Sequence, residues 1–372
     1  MKAVLARQEL FDGLSAVSTV VSGRTTRPIL GCVRLRIGEA GLELSATDGE
    51  AALRVPVEVL SVERPGEAVV PVQDLLPVVR ELDDAELSVE ADDRHCVVCG
   101  QGSEFRIFLM AAADFPPVGS FDGEPDLVVD GDLLRRMIAL TVYAAARETS
   151  RYAINGVLWQ KRGRRLFLVA TDGRRLARAG GEVRASAAGD FEVILPSKAM
   201  GVFEKVFAAP RGDGPWEVQI RVTPNQVLLR TGGRVLSSVL VEGSFPKYED
   251  VIPKEHTREA RLPREAFLQA VRRAALLTTE ESRAVRLAFE GELLVITSQA
   301  PDRGQARVDV PLDYRGEPLV IGFNPVFLTE ALRAIPYEEI VLELDENFRP
   351  GVLRGEDAEE FLYVVMPVSL TT

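Results

Sequence analysis

The chain has few of the side chains on which most enzymes, metal proteins and secreted proteins depend. Its 372 residues include three cysteines and two histidines. A disulfide-stapled fold is therefore excluded, and general bases and soft metal ligands are scarce. No apolar run approaches the roughly 18 residues of a membrane-crossing helix, and the first residues lack the basic and apolar regions of a signal peptide. We expect a cytoplasmic protein with no membrane partner, no metal and no cofactor.

Two of the cysteines stand in one short motif beside a histidine. Cys96 and Cys99, preceded by His95, have the spacing of a zinc or redox site. A four-ligand zinc site needs a second ligand pair, which this chain does not offer. The residues around the motif indicate a strand that runs into a turn. Buried strand cysteines are therefore favoured over a metal site.

Lysine is also scarce, and acidic residues outnumber basic ones. The net charge is −12, and only six of the 44 basic residues are lysines. This balance argues against a surface coated all over with nucleic acid or anionic lipid, but it leaves room for a local basic surface. The planar fork of arginine suits phosphate, although the same bias can reflect genome composition.

What the sequence does contain is a threefold internal repeat. The segment GLELSATDGEAALRVPV (41–57) resembles RLFLVATDGRRLARAGG (165–181), so that Asp48 and Asp172 of their Thr-Asp-Gly triplets lie 124 residues apart. The segment 292–310 continues the series in degenerate form, and two further sets of segments recur at a similar interval. Three copies of one unit is the economical interpretation.

Each copy is predicted to hold two amphipathic helices and a series of short strands. Short, closely spaced strands favour antiparallel sheets and hence the α+β class. Linkers are expected near 119–128 and 254–262, which are rich in turn and charged residues. The opening helices are expected near 8–22, 131–148 and 263–278, and the second helices near 73–82, 197–207 and 324–335.

Basic residues recur at helical spacing on these segments. Arg136 and Arg147 are eleven residues apart, and Lys198 and Lys205 are seven apart, so each pair is predicted to share one helix face. Ordinary solvated helix faces are one interpretation. Cationic faces within an otherwise acidic body are the other.

Nine short segments, in order along the chain, resemble the family of the bacterial DNA polymerase III β subunit, the sliding clamps. Any one of them is weak, but together they span nearly the whole chain. The segments are TRPILGCVRL (26–35), MAAADFPPV (110–118), RYAINGVLW (151–159), LVATDGRRLA (168–177), ILPSKAM (194–200), GSFPKYEDVIP (243–253), AVRLAF (284–289), GFNPVFL (322–328) and YVVMPV (363–368).

The resemblance implies a DNA clamp fold with three repeated domains, at 1–120, 128–253 and 261–372, each of antiparallel sheets with two inner helices. It implies a head-to-tail homodimer that closes a six-domain ring around duplex DNA of any sequence. The implied partners are the DNA polymerase III catalytic subunit, the clamp loader, and other polymerases and repair proteins with short linear motifs. Such a tether gives processivity and needs no catalytic residue.

The partner peptides of the family dock in a groove between the second and third domains. The resemblance implies an apolar slot for leucine or phenylalanine anchors, formed by Leu176, Val251, Val364 and Met366, and arginine donors at Arg151 and Arg175. The matching positions are Arg151, Tyr152, Ile154, Thr171, Gly173, Arg174, Arg175, Leu176, Pro246, Val251, Asn324, Val364, Val365, Met366, Pro367 and Val368.

Two further surfaces follow from the resemblance. The ring joint is expected at Phe105, Ile107, Leu276 and Leu277, because a strand edge has free N–H and C=O groups; ordinary core is the alternative for Phe105. The DNA-facing positions are expected to be Arg24, Arg80, Arg136, Arg147, Lys198, Lys205 and Arg272.

The chain also departs from the family pattern near the expected groove. Arg174 stands where the family usually has a histidine, and the segment 345–355 is longer than usual. The chain then continues through Ser369 to Thr372. These departures affect the second subsite of the groove, whereas the first, around Leu176 and Pro246, keeps the family residues.

Two other functions compete with the clamp. An enzyme would use Asp48 or Asp172 with the neighbouring threonine, but the repeat places these acids in different domains, whereas paired acids need a shared cleft. The Thr-Asp-Gly triplet is also explained by simple hairpin chemistry. A scaffold that binds proteins and never meets DNA is the second competitor, and the sequence does not separate it firmly from a clamp.

Overall fold

The same order of elements occurs three times along the chain. The structure, a computed structural model, describes residues 1–21, 25–147, 153–207, 215–279, 284–355 and 360–370. Within these ranges each third of the chain contains one strand, a helix, five strands, a second helix and three strands. We call these thirds repeats 1, 2 and 3. The threefold repeat predicted from the sequence is confirmed.

The elements are numbered in chain order. Repeat 1 consists of β1 (Lys2–Ala6), α1 (Arg7–Ser18), β2 (Cys32–Gly38), β3 (Gly41–Thr47), β4 (Ala51–Val57), β5 (Ser61–Arg64), β6 (Gly66–Pro71), α2 (Val72–Glu81), β7 (Glu86–Ala91), β8 (His95–Gly100) and β9 (Ser103–Phe108). Repeat 2 consists of β10 (Leu127–Asp130), α3 (Gly131–Ala139), β11 (Gly156–Arg162), β12 (Arg165–Thr171), β13 (Arg175–Glu182), β14 (Ala185–Ser186), β15 (Phe191–Pro196), α4 (Ser197–Val206), β16 (Glu217–Val222), β17 (Gln226–Thr231) and β18 (Arg234–Val239). Repeat 3 consists of β19 (Arg258–Pro263), α5 (Arg264–Ala274), β20 (Val285–Glu290), β21 (Leu293–Ala300), β22 (Gly304–Pro311), β23 (Asp313–Arg315), β24 (Leu319–Phe323), α6 (Pro325–Ala334), β25 (Glu339–Leu344), β26 (Gly351–Arg354) and β27 (Phe361–Val365).

The chain divides into two compact units. Unit 1 comprises Met1–Leu134, Val183–Ala188 and Lys198–Leu240, and unit 2 comprises Arg135–Glu182, Gly189–Ser197 and Val241–Thr372. Unit 1 contains a five-stranded sheet in the order β5-β1-β7-β8-β9 and a nine-stranded sheet in the order β14-β10-β16-β17-β18-β4-β3-β2-β6. Unit 2 contains a nine-stranded sheet in the order β15-β11-β12-β13-β27-β26-β25-β19-β23 and a four-stranded sheet in the order β22-β21-β20-β24.

Each nine-stranded sheet is built from strands of two repeats. In unit 1, β4 pairs with β18, and Leu53 lies opposite Leu236. In unit 2, β13 pairs with β27, and Leu176 lies opposite Val364. Both pairs are antiparallel, and both join the fourth strand of one repeat to the last strand of the next. Repeat 2 therefore contributes strands to both units, which is why the chain divides into two units although it has three repeats.

The helices are short, and α1 packs its apolar face on β3 and β4. In α1, Leu10, Leu14 and Val17 are buried, and a Cβ on Gly13 would lie 2.7 Å from Val57 Cγ2, so glycine is needed for this close approach. The longest of the described helices, α1, has 12 residues. In the described ranges no helix combines the length and the apolar character that crossing a membrane requires.

The opening helix of repeat 2 is shorter than the sequence predicted. The expectation was a helix over 131–148, but α3 ends at Ala139 and a short 3-10 turn follows at Val142–Ala144. The hydroxyl of Thr141 donates to Met137 O at 2.8 Å, and the Thr141 amide donates to Ile138 O, which tightens the last turn. Arg147 therefore lies beyond the helix and does not share a helix face with Arg136, so that prediction is wrong.

Strand β19 overlaps the expected second linker. The segment 254–262 was expected to be a linker, but β19 begins at Arg258 and pairs with β25 and β23. Its alternating Ala260 and Leu262 are buried, and this period-two pattern outweighs the charged residues between them.

The cysteine motif is part of a strand. Cys96 lies on β8 and is fully buried, and Cys99 is half-buried on the same strand. Burial raises the pKa of the Cys96 thiol to about 12. No group of three or more potential metal ligands occurs among the described residues. The strand-cysteine interpretation is confirmed for Cys96.

A tryptophan packs against the first residues of α3. Trp216 is buried, and its ring nitrogen donates to Asp132 Oδ1 at 2.9 Å. The helix itself is capped by Asp130, whose Oδ1 accepts from the amides of Asp132 and Leu133, each at 3.0 Å. A Cβ added at Gly131 would lie 2.1 Å from the Trp216 ring. The first helical residue must therefore be glycine for the ring to pack there.

We expect Gly131→Ala to lower the free energy of unfolding by about 2 kcal/mol, because overpacking of this kind forces the ring or the helix to shift. Gly201→Ala is the matched control: Gly201 lies inside α4, a Cβ there would meet nothing within 4 Å, and the loss of unfolded-chain entropy should raise stability by about 0.5 kcal/mol. Urea denaturation of both variants measures the difference. Equal effects would contradict the packing of Trp216 on Gly131.

Candidate peptide, DNA and subunit surfaces

The Thr-Asp-Gly triplet of repeat 2 forms the hairpin between β12 and β13. The Thr171 hydroxyl donates to Arg175 O at 2.6 Å and accepts from the Gly173 amide at 3.1 Å. Oδ1 of Asp172 accepts from the amides of Arg174 at 2.9 Å and Arg175 at 3.1 Å. Gly173 has a φ of 84°, a conformation that other residues rarely adopt.

The triplet of repeat 1 forms the same turn between β3 and β4. The Thr47 hydroxyl donates to Ala51 O at 2.9 Å, and Asp48 Oδ1 accepts from the amides of Glu50 and Ala51 at 2.9 and 2.8 Å. Gly49 has a φ of 97°. The hairpin interpretation of the triplet is confirmed in both repeats.

Arg175 is held inside unit 2 by three groups. Its Nε donates to Asp172 Oδ2 at 3.1 Å, one terminal nitrogen pairs with Glu330 of α6, and the other donates to Tyr143 O at 2.7 Å. Its guanidinium also lies 4.6 Å from the centre of the Phe327 ring. Burial opposes its charge, but the hydrogen bond with Glu330 and the nearby acidic groups outweigh burial and raise the pKa of Arg175.

This arrangement gives Arg175 a role within the unit. The side chain is only 8% exposed, and each of its three nitrogens has a partner there. Arg175 fixes the hairpin to α6, and its donation to a bound peptide stays a prediction. Arg174, its neighbour in sequence, is exposed.

The ladder between β13 and β27 brings several expected groove residues side by side. Arg175 lies opposite Val365 and Leu176 opposite Val364. Just past the end of β27, the Met366 amide donates to Arg174 O at 2.9 Å. Arg174 and Met366 are therefore neighbours at the end of this ladder, directly beside the buried pair formed by Leu176 and Val364.

An apolar cluster underlies this end of the sheet. Tyr248 belongs to it, and its hydroxyl donates to Gln160 Oε1 at 2.8 Å. Because Tyr248 lies between Pro246 and Val251 in sequence, it places these two residues next to the cluster. The buried members are Ala153, Leu158, Val169, Leu176, Ile194, Tyr248, Val352, Leu362 and Val364, and the half-buried members are Val241, Phe245 and Ile252.

The expected groove residues differ widely in exposure. Met366 is 42% exposed and Leu176 only 2%, so the first can contact a partner and the second supports the surface from below. Arg151 and Tyr152 lie outside the described residues. The exposed positions are Gly173, Arg174, Val251 and Met366; the half-buried ones are Ile154, Pro246, Asn324, Pro367 and Val368; the buried ones are Thr171, Arg175, Leu176, Val364 and Val365.

Asn324, which was expected to contact a partner peptide, also has a structural role in its own helix. Its side chain is the N-cap of α6, and Oδ1 accepts from the Val326 amide at 2.9 Å. Pro325 follows in the first helical position. This combination of asparagine cap and proline is typical of a helix start.

The C-terminal segment borders a cavity in unit 2. The Val368 amide donates to Gly322 O at 2.9 Å, so residues beyond β27 lie along the edge of β24. A cavity of about 410 Å³ opens there, and Phe348 at its wall is exposed. Its lining residues are Val320, Ile321, Gly322, Asn347, Phe348, Pro367, Val368, Ser369 and Leu370.

Most of the expected DNA-facing cations are exposed on helices. Arg80 lies on α2, Arg136 on α3, Lys198 and Lys205 on α4, and Arg272 on α5. Arg147 is exposed but lies outside a helix, and Arg24 is not among the described residues.

Lys198 is paired with an acid of repeat 1. Its Nζ donates to Asp48 Oδ2, which belongs to the Thr-Asp-Gly turn. Burial alone would raise the pKa of Asp48, but the hydrogen bond from Lys198 and the two turn amides outweigh burial and lower it. The sequence did not reveal this pair, because its two residues are 150 positions apart.

Two of the four expected joint residues, Phe105 and Ile107, lie on an edge strand. β9 is the outer strand of the five-stranded sheet and β22 that of the four-stranded sheet. On β9, Phe105 is exposed and Ile107 is buried opposite Cys96. Ile107 is therefore packed within the chain, and its place in the joint stays a prediction. Phe108, which was not among the expected joint residues, is 76% exposed.

Leu276 and Leu277 form a 3-10 turn directly after α5. Leu276 is 73% exposed, and Leu277 is half-buried. Two large apolar side chains that face solvent, Phe108 and Leu276, thus accompany the two sheet edges.

Three family models match consecutive parts of the chain. They are described as the DNA polymerase III beta subunit N-terminal domain, over residues 1–119, its central domain, over 128–247, and its C-terminal domain, over 249–369.

Individual proteins match the chain over its full length. A protein of Proteus mirabilis named beta sliding clamp is 32% identical over 371 residues, covering 100% of each chain. The crystal structure of a sliding clamp from Pseudomonas aeruginosa bound to griselimycin superposes with a TM-score of 0.92 at 30% identity. The DNA polymerase sliding clamp of Bacillus subtilis gives a TM-score of 0.93 at 25% identity. Both structures are covered completely, as is this chain.

Arg175→Ala should lower the free energy of unfolding by about 3 kcal/mol, because it leaves Glu330 partly buried without its cation. Arg174→Ala removes the same side chain one position earlier, where it is exposed, and should change stability by less than about 0.5 kcal/mol. Urea denaturation compares the two. Similar losses for both variants would contradict the assignment of Arg175 to the hairpin network.

Proposed function

The chain belongs to the family of the DNA polymerase III beta subunit, the sliding clamps, and from this membership we propose how its own residues close the ring, face DNA and bind partners. It is a processivity clamp. We place its three domains at 1–120, 128–253 and from about 258 onward, because β19 already begins at Arg258. We infer that it acts in the cytoplasm on chromosomal DNA and has no catalytic activity of its own.

The strand pairing between repeats carries the proposal for the ring. The fourth strand of repeat 1 pairs with the last strand of repeat 2, and the fourth strand of repeat 2 pairs with the last strand of repeat 3. By the same rule the fourth strand of repeat 3, β22, requires the last strand of a repeat 1. Both β22 and β9 lie at sheet edges, so β22 of one copy pairs with β9 of a second copy. In a dimer, every fourth strand of a repeat is then paired with the last strand of another repeat.

This closure is head to tail, because the two edges are different surfaces. Backbone N–H and C=O groups on each edge supply the ladder, and Phe105, Phe108 and Leu276 supply apolar contact. The result is a homodimer whose joint resembles the two joints within each chain.

The inner cations suit loose contact with DNA. Exposed basic residues on α2, α3, α4 and α5 reach phosphates, which are the same for every base sequence. The chain as a whole is acidic, at −12, so DNA is repelled elsewhere on its surface. Duplex DNA of any sequence is thus encircled without being held in one position.

The Thr-Asp-Gly acids support the absence of catalysis. Oδ1 of Asp48 and Oδ1 of Asp172 each accept hydrogen bonds from two backbone amides of the turn. Oδ2 of each aspartate pairs with a basic side chain. A carboxylate that is fully engaged in holding a turn is a poor general acid or base. This observation favours a clamp over a hydrolase.

The end of the β13–β27 ladder is the proposed site for partner peptides. Met366 and Val251 offer exposed apolar contact, Pro246 a half-buried wall, and Arg174 a charged one. The DNA polymerase III catalytic subunit, the clamp loader, and other polymerases and repair proteins would insert leucine or phenylalanine anchors there. A polymerase tethered in this way stays at high effective concentration near the primer end.

Leu276→Asp should convert the dimer into a monomer at micromolar concentration, because it places a charge in the apolar part of the joint. Leu60→Asp is the matched control, since Leu60 is also an exposed leucine but precedes β5, which lies at the opposite edge of the five-stranded sheet from β9. Light scattering should give twice 40.7 kDa for the native protein and for the control. The Leu276 variant should also be lost from circular DNA. An intact dimer in that variant would show the joint to be misplaced.

Met366→Ala should weaken binding of a peptide with leucine and phenylalanine anchors by about tenfold or more, because anchors in such pockets dominate affinity. Its melting temperature should stay close to that of the native protein, since Met366 is partly exposed. Val239→Ala, which shortens an exposed side chain of unit 1, should bind the peptide normally. Titration calorimetry measures each affinity.

Two further variants test the walls of the peptide site. Leu176→Ala should lower both peptide affinity and stability, by about 3 kcal/mol for the latter, because Leu176 belongs to the buried cluster. Arg174→His should bind the same peptide about as well if Arg174 is only a wall. A weaker binding with less salt dependence would assign it to an acidic residue of the partner. Unchanged affinity in both the Met366 and Leu176 variants would refute the site.

A further inference from the structure

The two Thr-Asp-Gly turns differ in one side chain. Because of this difference, Oδ2 of Asp48 has no cationic partner within its own turn. Arg175 stands three residues after Asp172, and its Nε donates a hydrogen bond to Asp172 Oδ2 at 3.1 Å. Three residues after Asp48 stands Ala51, which has no such group. The backbone hydrogen bonds of the two turns are otherwise alike. Oδ2 of Asp48 therefore takes its partner from another element, and that partner is Lys198 of α4.

The two members of this pair are unequally exposed. The Asp48 side chain is 7% exposed and the Lys198 side chain 48%. The carboxylate is thus fixed in its turn by two amides, while the ammonium group remains open to solvent on one side. The ammonium group of Lys198 can therefore contact a second anion from the solvent side, whereas the Asp48 carboxylate is too buried to contact a second cation.

The position of Lys198 in α4 fits this arrangement. It is the second residue of the helix, where the positive end of the helix dipole disfavours a cation and favours an anion. The Asp48 carboxylate offsets that disadvantage. A DNA phosphate placed at the same end of the helix would do so equally well.

We propose that Lys198 is shared between Asp48 and a DNA phosphate, and that Asp48 is a positioning residue that restrains this lysine until DNA is present. The inference rests on the proposed DNA-facing side of α4. Without DNA the pair neutralises the cation and orders its side chain. With DNA inside the ring, the phosphate competes with Asp48 for Lys198, and each such contact is weaker than the contact of an unpaired lysine. Lys205 lies seven residues further along α4 and has no acid partner of this kind among the described contacts.

This sharing favours sliding over tight binding. A lysine that already has a carboxylate partner releases less free energy on meeting a phosphate, because one ion pair replaces another. The cation also has a partner to return to when the phosphate moves on. The friction between ring and DNA is thereby lowered at this point.

The test is a set of single and double variants of the intact dimer, measured by the fluorescence anisotropy of a labelled primed duplex over a salt series. Asp48→Asn keeps an Oδ1 acceptor for the turn amides but releases Lys198. It should raise affinity about two- to fivefold, the range of an exposed ion pair, and steepen the log–log salt dependence by up to about 0.9, the value for one phosphate contact. Glu50→Gln removes an equal charge from the exposed side of the same turn and should change affinity less.

The combination with Lys198→Gln separates a shared lysine from general repulsion. Asp48→Asn should have no effect in the Lys198→Gln background, because its only action is on that lysine. If the double variant instead gains as much affinity as Asp48→Asn alone, Asp48 acts merely as a negative charge and the proposal is overturned. An unchanged affinity and salt dependence in Asp48→Asn overturns it as well. Melting curves of the same samples check that each variant is folded.

Lys205→Gln distinguishes a failure of this proposal from a failure of the proposed DNA face. If Lys205→Gln weakens binding while Asp48→Asn changes nothing, α4 faces DNA and the sharing of Lys198 is wrong. If both Lys198→Gln and Lys205→Gln bind like the native protein, α4 does not face DNA, and both statements fall together.

Discussion

The pairing of strands from neighbouring repeats is the interaction on which the rest of the structure depends. Each repeat alone ends with an open sheet edge, and such an edge tends to pair with another strand unless it is covered. The ladders between β4 and β18 and between β13 and β27 cover these edges with main-chain hydrogen bonds. The proposed peptide site lies at the end of one of these ladders, and the Asp48–Lys198 pair lies near the start of the other. Binding surfaces and joints are thus placed by the same backbone pairing.

The repeats share a backbone but differ in the charges placed on it. In unit 1 the turn contributes an acid and the helix a lysine, whereas in unit 2 the turn contributes an arginine and the helix an acid, Glu330. In the unit 2 pair the cation, Arg175, is buried, whereas in the unit 1 pair the cation, Lys198, is about half exposed to solvent. The third position after the aspartate is alanine in one turn and arginine in the other, and this difference decides whether the aspartate pairs with the arginine of its own turn or with the lysine of a helix.

Much of the fold could be predicted from local patterns, and the errors have local or long-range causes. The repeat, the antiparallel sheets and the hairpin turns follow from spacing and turn chemistry. The end of α3 was missed because the bonds of the Thr141 hydroxyl depend on details that helical periodicity does not register. The roles of Arg175 and Lys198 could not be predicted, since their partners Glu330 and Asp48 lie 155 and 150 residues away. No local pattern separates buried Arg175 from exposed Arg174, because β13 begins at Arg175 and is buried along most of its length.

The segments between repeats have a smaller mechanical part than their position suggests. Because the repeats are joined through sheets, the peptide that connects β9 to β10, or β18 to β19, keeps two repeats close together but does not itself form the joint between them. Cleavage of such a peptide would leave every strand ladder intact and would remove only the proximity that the covalent bond provides.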